Sequence, residues 1–523
     1  MMKKVSVLSI SLVLVGAVFS VAYSASGDNP VRRYDPEKVK VTRWLDPNTR
    51  PMTYEEYVRS RDFDELQKIN LVRAPLVNTD VPIDIIVNES LYPSITGAID
   101  TFLLDLQMDG YGVNLYTANE VLSPSALRNI LQQDWASLDI TGVILIGDLA
   151  VPWYEMNEPA DWGGAFVQFP CDLYFMDLDG LWGDSDLDGM YDTHSGELLA
   201  DIWVGRLVAS PMSYHGADEV TLLRNYFRKN HDYRMGDLRL DDHALAFIDN
   251  DWNTYGWGFD VALAYPSTDS VIDIYETNRT NYINRLRQSS DNRYEHVLIC
   301  SHSSAFDHYI YYNYSNYELF HNYEIENFMM QSLTYNLFAC SNSRYVESDN
   351  MGGWYIFETE YGLLTVGCTK TGSMLCFNDF YSPLGEGATY GNALLAWAQN
   401  DMETCAGDQS RAWFYGMCIQ GDPTLKLARF QDPLVYCNYI TGDYNGNGVM
   451  NVADVVAAFS KLITGSPDPA LLCECPYGSG VQWAVAMDVN NSCDFNIADI
   501  VAAYSKLRTG LPEVIPCQEC PPH

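Results

Sequence analysis

Short, mostly apolar runs alternate with longer stretches of helical spacing from Val81 to about Phe430. "IDIIV", "GVNLYTA", "GVILIGD", "HALAFIDN", "HVLIC", "YNLFAC" and "GLLTVGC" are aliphatic runs of strand length bounded by turn-forming residues. Between them, Ser94 to Met108, Ser123 to Trp135, Asp218 to Asn230 and Tyr390 to Gln399 repeat apolar residues at the period of a helix with one buried face. Runs apolar at successive positions belong to strands covered on both faces, and the alternating helices supply the cover. The pattern therefore predicts an α/β domain with a mostly parallel sheet and helices on both faces. In such sheets chemistry gathers outside the carboxyl ends of the strands, so the residues after each strand matter most.

The flanks read differently. Lys3 and Lys4 precede "VLSISLVLVGAVFSVA", with small residues from Ala22 to Ala25, the form of a secretory signal over residues 1–25. That run is short for a membrane span and contains serines, and no later segment reaches spanning length. The expectation is an exported, soluble chain, extracellular or held at a cell surface. Residues 26–80 are polar, with "YEEYVRSRDFDELQKINLVRAP" helical in pattern and without strand signals, and read as a pro-segment or N-terminal adaptor. Around residues 431–441 the Pro433-bearing stretch "FQDPLVYCNYITG" reads as a linker.

Composition narrows the function. The 523 residues suffice for two to four domains, and 47% hydrophobic with 13% aromatic residues excludes a disordered chain. Lys plus Arg number 31 against 69 Asp plus Glu, a net charge of −38, and no basic cluster follows the leader; nucleic acid is excluded as a partner. So much acid in a folded chain fits an exported protein with bound cations. Of thirteen cysteines, six (Cys437, Cys473, Cys475, Cys493, Cys517, Cys520) fall near the end, an even number suited to disulfides that staple a small module. The others (Cys171, Cys300, Cys340, Cys368, Cys376, Cys405, Cys418) are odd in number, so at least one stays unpaired if no pairing crosses the two regions.

Residues 442–523 carry a duplication: "GDYNGNGVMNVADVVAAFSKLITG" is echoed by "AMDVNNSCDFNIADIVAAYSKLRTG". Each copy has the oxygen spacing of a twelve-residue calcium loop, with ligands at positions 1, 3, 5, 7, 9 and 12. These fall on Asp443, Asn445, Asn447, Val449 through its carbonyl, Asn451 and Asp454, then on Asp488, Asn490, Ser492, Asp494, Asn496 and Asp499. A helical stretch follows each loop and ends at Gly465 or Gly510. The pair resembles the dockerin module, which implies bound calcium and docking onto a cohesin domain of a scaffold or cell-surface protein. Asn447 and Ser492 stand where dockerins often have Asp, which lowers the loop charge and implies weaker calcium binding. The partner-reading pairs map to Val452-Ala453 and Ile497-Ala498, apolar where hydroxyl residues are common. A further acidic cluster, Asp184, Asp186, Asp188 and Asp192 in "DLDGLWGDSDLDGMYD", demands a cation or large pKa shifts and reads as a second metal site.

Two of the predicted strands end in matching ways. "HVLIC" runs into Ser301-His302-Ser303-Ser304, and "YNLFAC" ends at Cys340 before Ser341-Asn342-Ser343. Neighbouring parallel strands would bring His302 and Cys340 to one carboxyl edge, a thiol beside an imidazole that can protonate a leaving amine. Here the chain resembles the gingipain branch of the caspase, legumain and gingipain clan of cysteine peptidases, over roughly residues 81–430. The resemblance rests on "LICSHSS", "NLFACSNS", the stretch "VILIGDLAVPW…CDLYFMDLDG…ADIWVGRL" with Asp172 and Arg206, and "GDPTLKL" at Gly421 to Leu427. It implies a caspase-like fold, a protein or peptide substrate, Cys340 as nucleophile and His302 as general acid and base. It also implies an oxyanion hole from the backbone N–H groups of Cys340 and Ser303. Ser303 replaces the family's glycine, which raises the question of backbone strain. By the same resemblance "TVGCTKTGSM" lines the specificity pocket. Cys300 and Cys368, inside strand patterns, read as core, and His308 and His321 as surface or rim. The competing class is a catalytically inactive gingipain-like component acting only through the dockerin; glycoside hydrolysis lacks a carboxylate pair to support it.

Overall fold

Eleven strands pair into one sheet in the computed structural model, which describes residues 38–61, 66–74, 81–213, 216, 218–313, 316–401, 405–433, 442–445, 449–466, 473–474, 482–483, 489 and 495–509. In chain order they are β1 (Ile69–Arg73), β2 (Val81–Asn88), β3 (Tyr111–Ala118), β4 (Gly142–Ile146), β5 (Trp203–Leu207), β6 (Asp241–Ile248), β7 (Thr268–Val271), β8 (Tyr294–Cys300), β9 (Thr334–Phe338), β10 (Leu364–Cys368) and β11 (Met417–Gly421). The spatial order is β1-β3-β2-β4-β5-β11-β10-β9-β8-β6-β7. The apolar runs of the sequence are β2, β3, β4, β6, β8, β9 and β10.

Two parallel blocks make up this sheet. β3, β2, β4, β5 and β11 run one way, and β10, β9, β8, β6 and β7 the other. They meet at the antiparallel pair of β10 and β11. The mostly parallel sheet is thus as expected, but its carboxyl ends point to two opposite edges. β1 adds antiparallel to β3 at the rim, from within the block read as strand-free. Leu71 and Val72 on it are exposed, so edge pairing rather than an apolar pattern makes this segment a strand.

Alternation along each strand feeds two cores. Leu298 and Cys300 of β8, Ala244 and Ala246 of β6, and Val143 and Leu145 of β4 face one layer. Val297 and Ile299, Leu245 and Phe247, and Ile144 and Ile146 face the other. Helices close both layers. α1 (Tyr54–Arg59), α2 (Tyr92–Met108), α3 (Pro124–Leu138), α4 (Glu219–Met235), α5 (Gly258–Ala264) and α6 (Tyr390–Asp401) include all four helices expected from sequence. Ser123 caps α3 by accepting from the Ala126 N–H, and Asp218 caps α4 by accepting from Thr221; Gly236, at φ 86°, ends α4.

In the duplicated region α7 (Val452–Thr464) and α8 (Ile497–Thr509) pack together around Tyr444, Ala458 and Ile500. Asp454 and Asp499 are wholly buried and Asp443 nearly so. Asp454 accepts from the N–H groups of Asn445 and Asn451, and Asp499 from that of Asn496. Asn447, Asp488, Asn490, Ser492 and Asp494 lie outside the described residues, as do the signal segment and Cys437, Cys475, Cys493, Cys517 and Cys520. Among the described residues no helix is long and apolar enough to cross a membrane.

Candidate active site

Ile248, Cys300 and Phe338 share one rung across β6, β8 and β9. Just beyond that rung the three strands deliver Asp251, His302 and Cys340 to the same carboxyl edge, with β10 ending beside them. His302 and Cys340 therefore lie at one edge, linked through Ser303, which follows the histidine and touches the thiol, and Asp251 joins them. Nothing in its local sequence distinguished Asp251 from its neighbours. The clue lay in the strand rule, because "HALAFIDN" ends there too.

His302 is 3% exposed and has both ring nitrogens occupied. Nε2 lies 2.8 Å from Asp251 Oδ2, and Nδ1 accepts the backbone N–H of Arg43 at 3.0 Å. Those partners assign the tautomer, with the proton on Nε2 and Nδ1 as the acceptor. Trp252 packs against the imidazole at 4.9 Å between ring centres. Burial pushes the His302 pKa down while Asp251 pushes it back up, and the net is lowered. Burial raises Asp251, but the hydrogen bonds from His302 and Lys40 outweigh it and hold the carboxyl below its ordinary value.

Cys340 is fully buried, its Sγ 3.3 Å from the Ser303 carbonyl and 3.4 Å from the Ser303 hydroxyl. Burial pushes the thiol up to about 12, against the smaller stabilising effect of Ser303. Ser303 answers the strain question: with His302 it forms a short strand paired to His308 and Tyr309, and it has no positive φ. The left-handed backbone falls instead on Ser341, at φ 58°, directly after the thiol. The Ser303 hydroxyl donates to the Cys340 carbonyl at 2.5 Å, and Asn342 Nδ2 donates to the Ser304 carbonyl, tying the two loops together.

The cover over this site is the chain's own residues 38–45. Trp44 bridges to Ser303, the Ser303 N–H donates to the Arg43 carbonyl at 3.2 Å, and the Leu45 N–H donates to the Ser303 carbonyl at 3.3 Å. Thr42 is wholly buried; its hydroxyl donates to the Gly372 carbonyl at 3.0 Å and accepts the Gly372 N–H at 3.2 Å. Gly372 sits at φ +106°, where an added Cβ would lie 2.7 Å from the Trp413 carbonyl. Lys40 pairs with Asp251, Trp252 donates to the Lys40 carbonyl, and Arg43 donates to the Trp162 carbonyl. Lys370, two residues before Gly372, is buried over the Trp162 and Phe169 rings, its ammonium bonded to the Thr371 and Ala412 carbonyls.

Other residues singled out from sequence serve the frame. Arg206 clasps Asp172 with both Nε and Nη2, fully buried, and Asp422 of "GDPTLKL" pairs with Arg234 at 2.6 Å. Cys300 and Cys368 lie in the apolar core as expected; Cys376 and Cys405 form a disulfide, and Cys171, Cys300, Cys340, Cys368 and Cys418 are free. His308 is a correction: it is buried, not at the rim, between the Ser301 hydroxyl and the Tyr355 hydroxyl. The strand Asp307–Tyr312 turns it inward against Phe320. His321 is half-buried beside Asp307. Asp184, Asp186, Asp188 and Asp192 gather in one hairpin loop.

No curated protein matches. A solved structure described as "Structure of Protease" aligns with 68% of this chain and 80% of its own, at 12% identity and a TM-score of 0.47. The model of peptidase family C25 matches residues 84–428, which contain Asp251, His302, Cys340 and Gly372. The chain belongs to peptidase family C25, the gingipain family of cysteine peptidases.

Proposed function

We propose that the chain is a secreted cysteine endopeptidase, held latent by its own residues 38–45 and attached through a calcium-loaded dockerin to a cohesin-bearing scaffold or cell-surface protein. One observation carries the catalytic part. A peptide N–H of the chain rests on His302 Nδ1 while the carbonyl of the same residue, Arg43, takes the Ser303 N–H. The acid/base nitrogen and one oxyanion donor are thus both engaged by a bound peptide.

In the reaction, Cys340 passes its proton to His302 Nδ1 and its thiolate attacks the scissile carbonyl carbon. Asp251 steadies the imidazolium at Nε2. The oxyanion takes N–H groups of Ser303 and Cys340. His302 then returns the proton to the leaving amine, and water cleaves the thioester with His302 as base.

The dockerin part is supported by a duplicated apolar stripe. Val452, Val456 and Phe459 on α7 and their repeat mates Ile497, Val501 and Tyr504 on α8 are all exposed. Such a surface suits a protein partner. Buried Asp443, Asp454 and Asp499 fit the ends of loops that would hold calcium.

The test compares the full chain, a chain beginning at Asp46, and Cys340→Ala and His302→Ala versions of the latter, on a mixed peptide library with calcium and a mild reductant. Cleavage by the shortened chain, lost in both variants, is expected. Cleavage that survives Cys340→Ala would end the thiol mechanism, and inactivity of every form would favour the inactive, dockerin-only reading.

A further inference from the structure

Within the covering segment, Thr42 is wholly buried while Arg43 beside it is exposed. One oxygen of Thr42 serves two bonds: its hydroxyl donates to the Gly372 carbonyl at 3.0 Å and accepts the Gly372 N–H at 3.2 Å. Among the described residues no other hydrogen bond reaches either of those backbone groups. A hydroxyl is donor and acceptor in a single atom, which is what an N–H and a C=O of one residue require. The backbone of Gly372 is fixed for this contact. At φ +106° it suits glycine, and an added Cβ would lie 2.7 Å from the Trp413 carbonyl and 2.8 Å from that of Ala412.

The surroundings of Gly372 disfavour other side chains. Lys370 is buried with its ammonium bonded to the same Ala412 carbonyl and set over the Trp162 and Phe169 rings. A lysine or arginine seated on Gly372 would bring a second cation into that interior. An aliphatic side chain would leave the Gly372 N–H and C=O buried and unpaired. By contrast, Arg43 binds through its backbone, and its side chain is held by one bond, from Nη1 to the Trp162 carbonyl at 2.9 Å. Val39 and Val41 are buried in the apolar layer that also holds Trp413.

We propose that the cleft selects its peptide substrates at the residue seated on Gly372 and takes threonine or serine there. That residue directly precedes the one whose carbonyl meets the Ser303 N–H, where the chain is cut, and an apolar residue precedes it in turn. The residue at the cut itself is free to vary. The inference rests on the cysteine-peptidase reading of the site.

The test uses the full chain with its variants Thr42→Val and Thr42→Ser. Iodoacetamide alkylation of Cys340 reads whether the segment holds the cleft. Thr42→Val raises the alkylation rate roughly 10- to 100-fold through loss of both bonds to Gly372. Thr42→Ser, which keeps the hydroxyl, raises it only about fourfold. The opened Thr42→Val chain is then given coumarylamide peptides acetyl-Val-Lys-Val-X-Arg, with X threonine, serine, valine or lysine. kcat/KM falls roughly 10- to 100-fold from threonine to valine, further for lysine, and about fourfold for serine. The same peptides protect Cys340 from alkylation in the same order, a readout that needs no turnover. Glutamine in place of the final arginine changes kcat/KM less than valine in place of threonine. Equal alkylation of the parent and Thr42→Val, or equal protection by the threonine and valine peptides, overturns the proposal. Protection in the expected order without hydrolysis upholds the subsite and overturns the peptidase reading instead.

Discussion

Replacing Asp251 by asparagine tests the positioning of His302 at nearly constant volume. The Asp251 side chain is 17% exposed and accepts His302 Nε2 at 2.8 Å. Its pKa is held low, so it is ionised at neutral pH, and it raises His302 against the downward pull of burial. An amide removes the charge. Its NH2 group facing Nε2 also favours a proton on Nδ1, the nitrogen that must accept the thiol proton. A hydrogen bond to a charged group is worth about 1.5–3 kcal/mol. Losing that support for the imidazolium lowers the thiolate population near neutral pH by roughly 10- to 150-fold. The tautomer error acts on turnover as well, so kcat/KM falls further, by about 10² to 10⁴-fold. The measurement is iodoacetamide alkylation of Cys340 beside peptide hydrolysis, over the neutral pH range. It is made in a chain beginning at Asp46, so that Lys40 no longer shares the carboxylate. Asp251→Asn alkylating and turning over at the parent rate would refute the role assigned to Asp251.

Three outcomes follow from the segment over the cleft. Uncovering Cys340 by starting the chain at Asp46 lets its pKa fall from about 12 toward its ordinary value of about 9; the thiolate fraction near neutral pH, and with it the alkylation rate, then rises by up to roughly 10³-fold. A peptide spanning Lys38 to Leu45 inhibits the shortened enzyme competitively, and a Thr42→Val peptide, lacking both bonds to Gly372, does so roughly 5- to 100-fold less well in a Ki measurement. Gly372→Ala, forced to φ +106° against the Trp413 and Ala412 carbonyls, costs about 1–3 kcal/mol in denaturant unfolding and abolishes inhibition by the same peptide.

What the sequence revealed follows from burial on both faces. β8 and β9 are buried at every position and end in the apolar runs Val297–Cys300 and Leu337–Ala339, so their ends, and with them His302 and Cys340, stand out from the pattern alone. Asp251 does not, because "FIDND" offers Asp249, Asn250 and Asp251 together, and only the register of β6 on β8 separates them. Asp249 is buried and accepts the Asp251 and Tyr311 N–H groups, building the turn that presents Asp251. Residues 38–45 have no periodicity to read, since their conformation comes from pairing with Ser303. β1 escaped for the same reason, and the reversal at β10 and β11 lies in no local run at all.

Burial by itself would have argued for a structural Cys340, since the five free cysteines among the described residues are all buried. Their surroundings differ. Cys171, Cys300 and Cys368 belong to one apolar core layer and Cys418 to a smaller apolar cluster. Cys340 belongs to none of the apolar clusters among the described residues. Its sulfur faces a serine hydroxyl and a carbonyl, and its loop is followed by a strained Ser341. A thiol set among polar groups gains little from the hydrophobic effect. The segment 38–45 pairs with Ser303, the residue that touches the thiol, so the alkylation rate of Cys340 with and without that segment decides whether its high pKa belongs to the covered state.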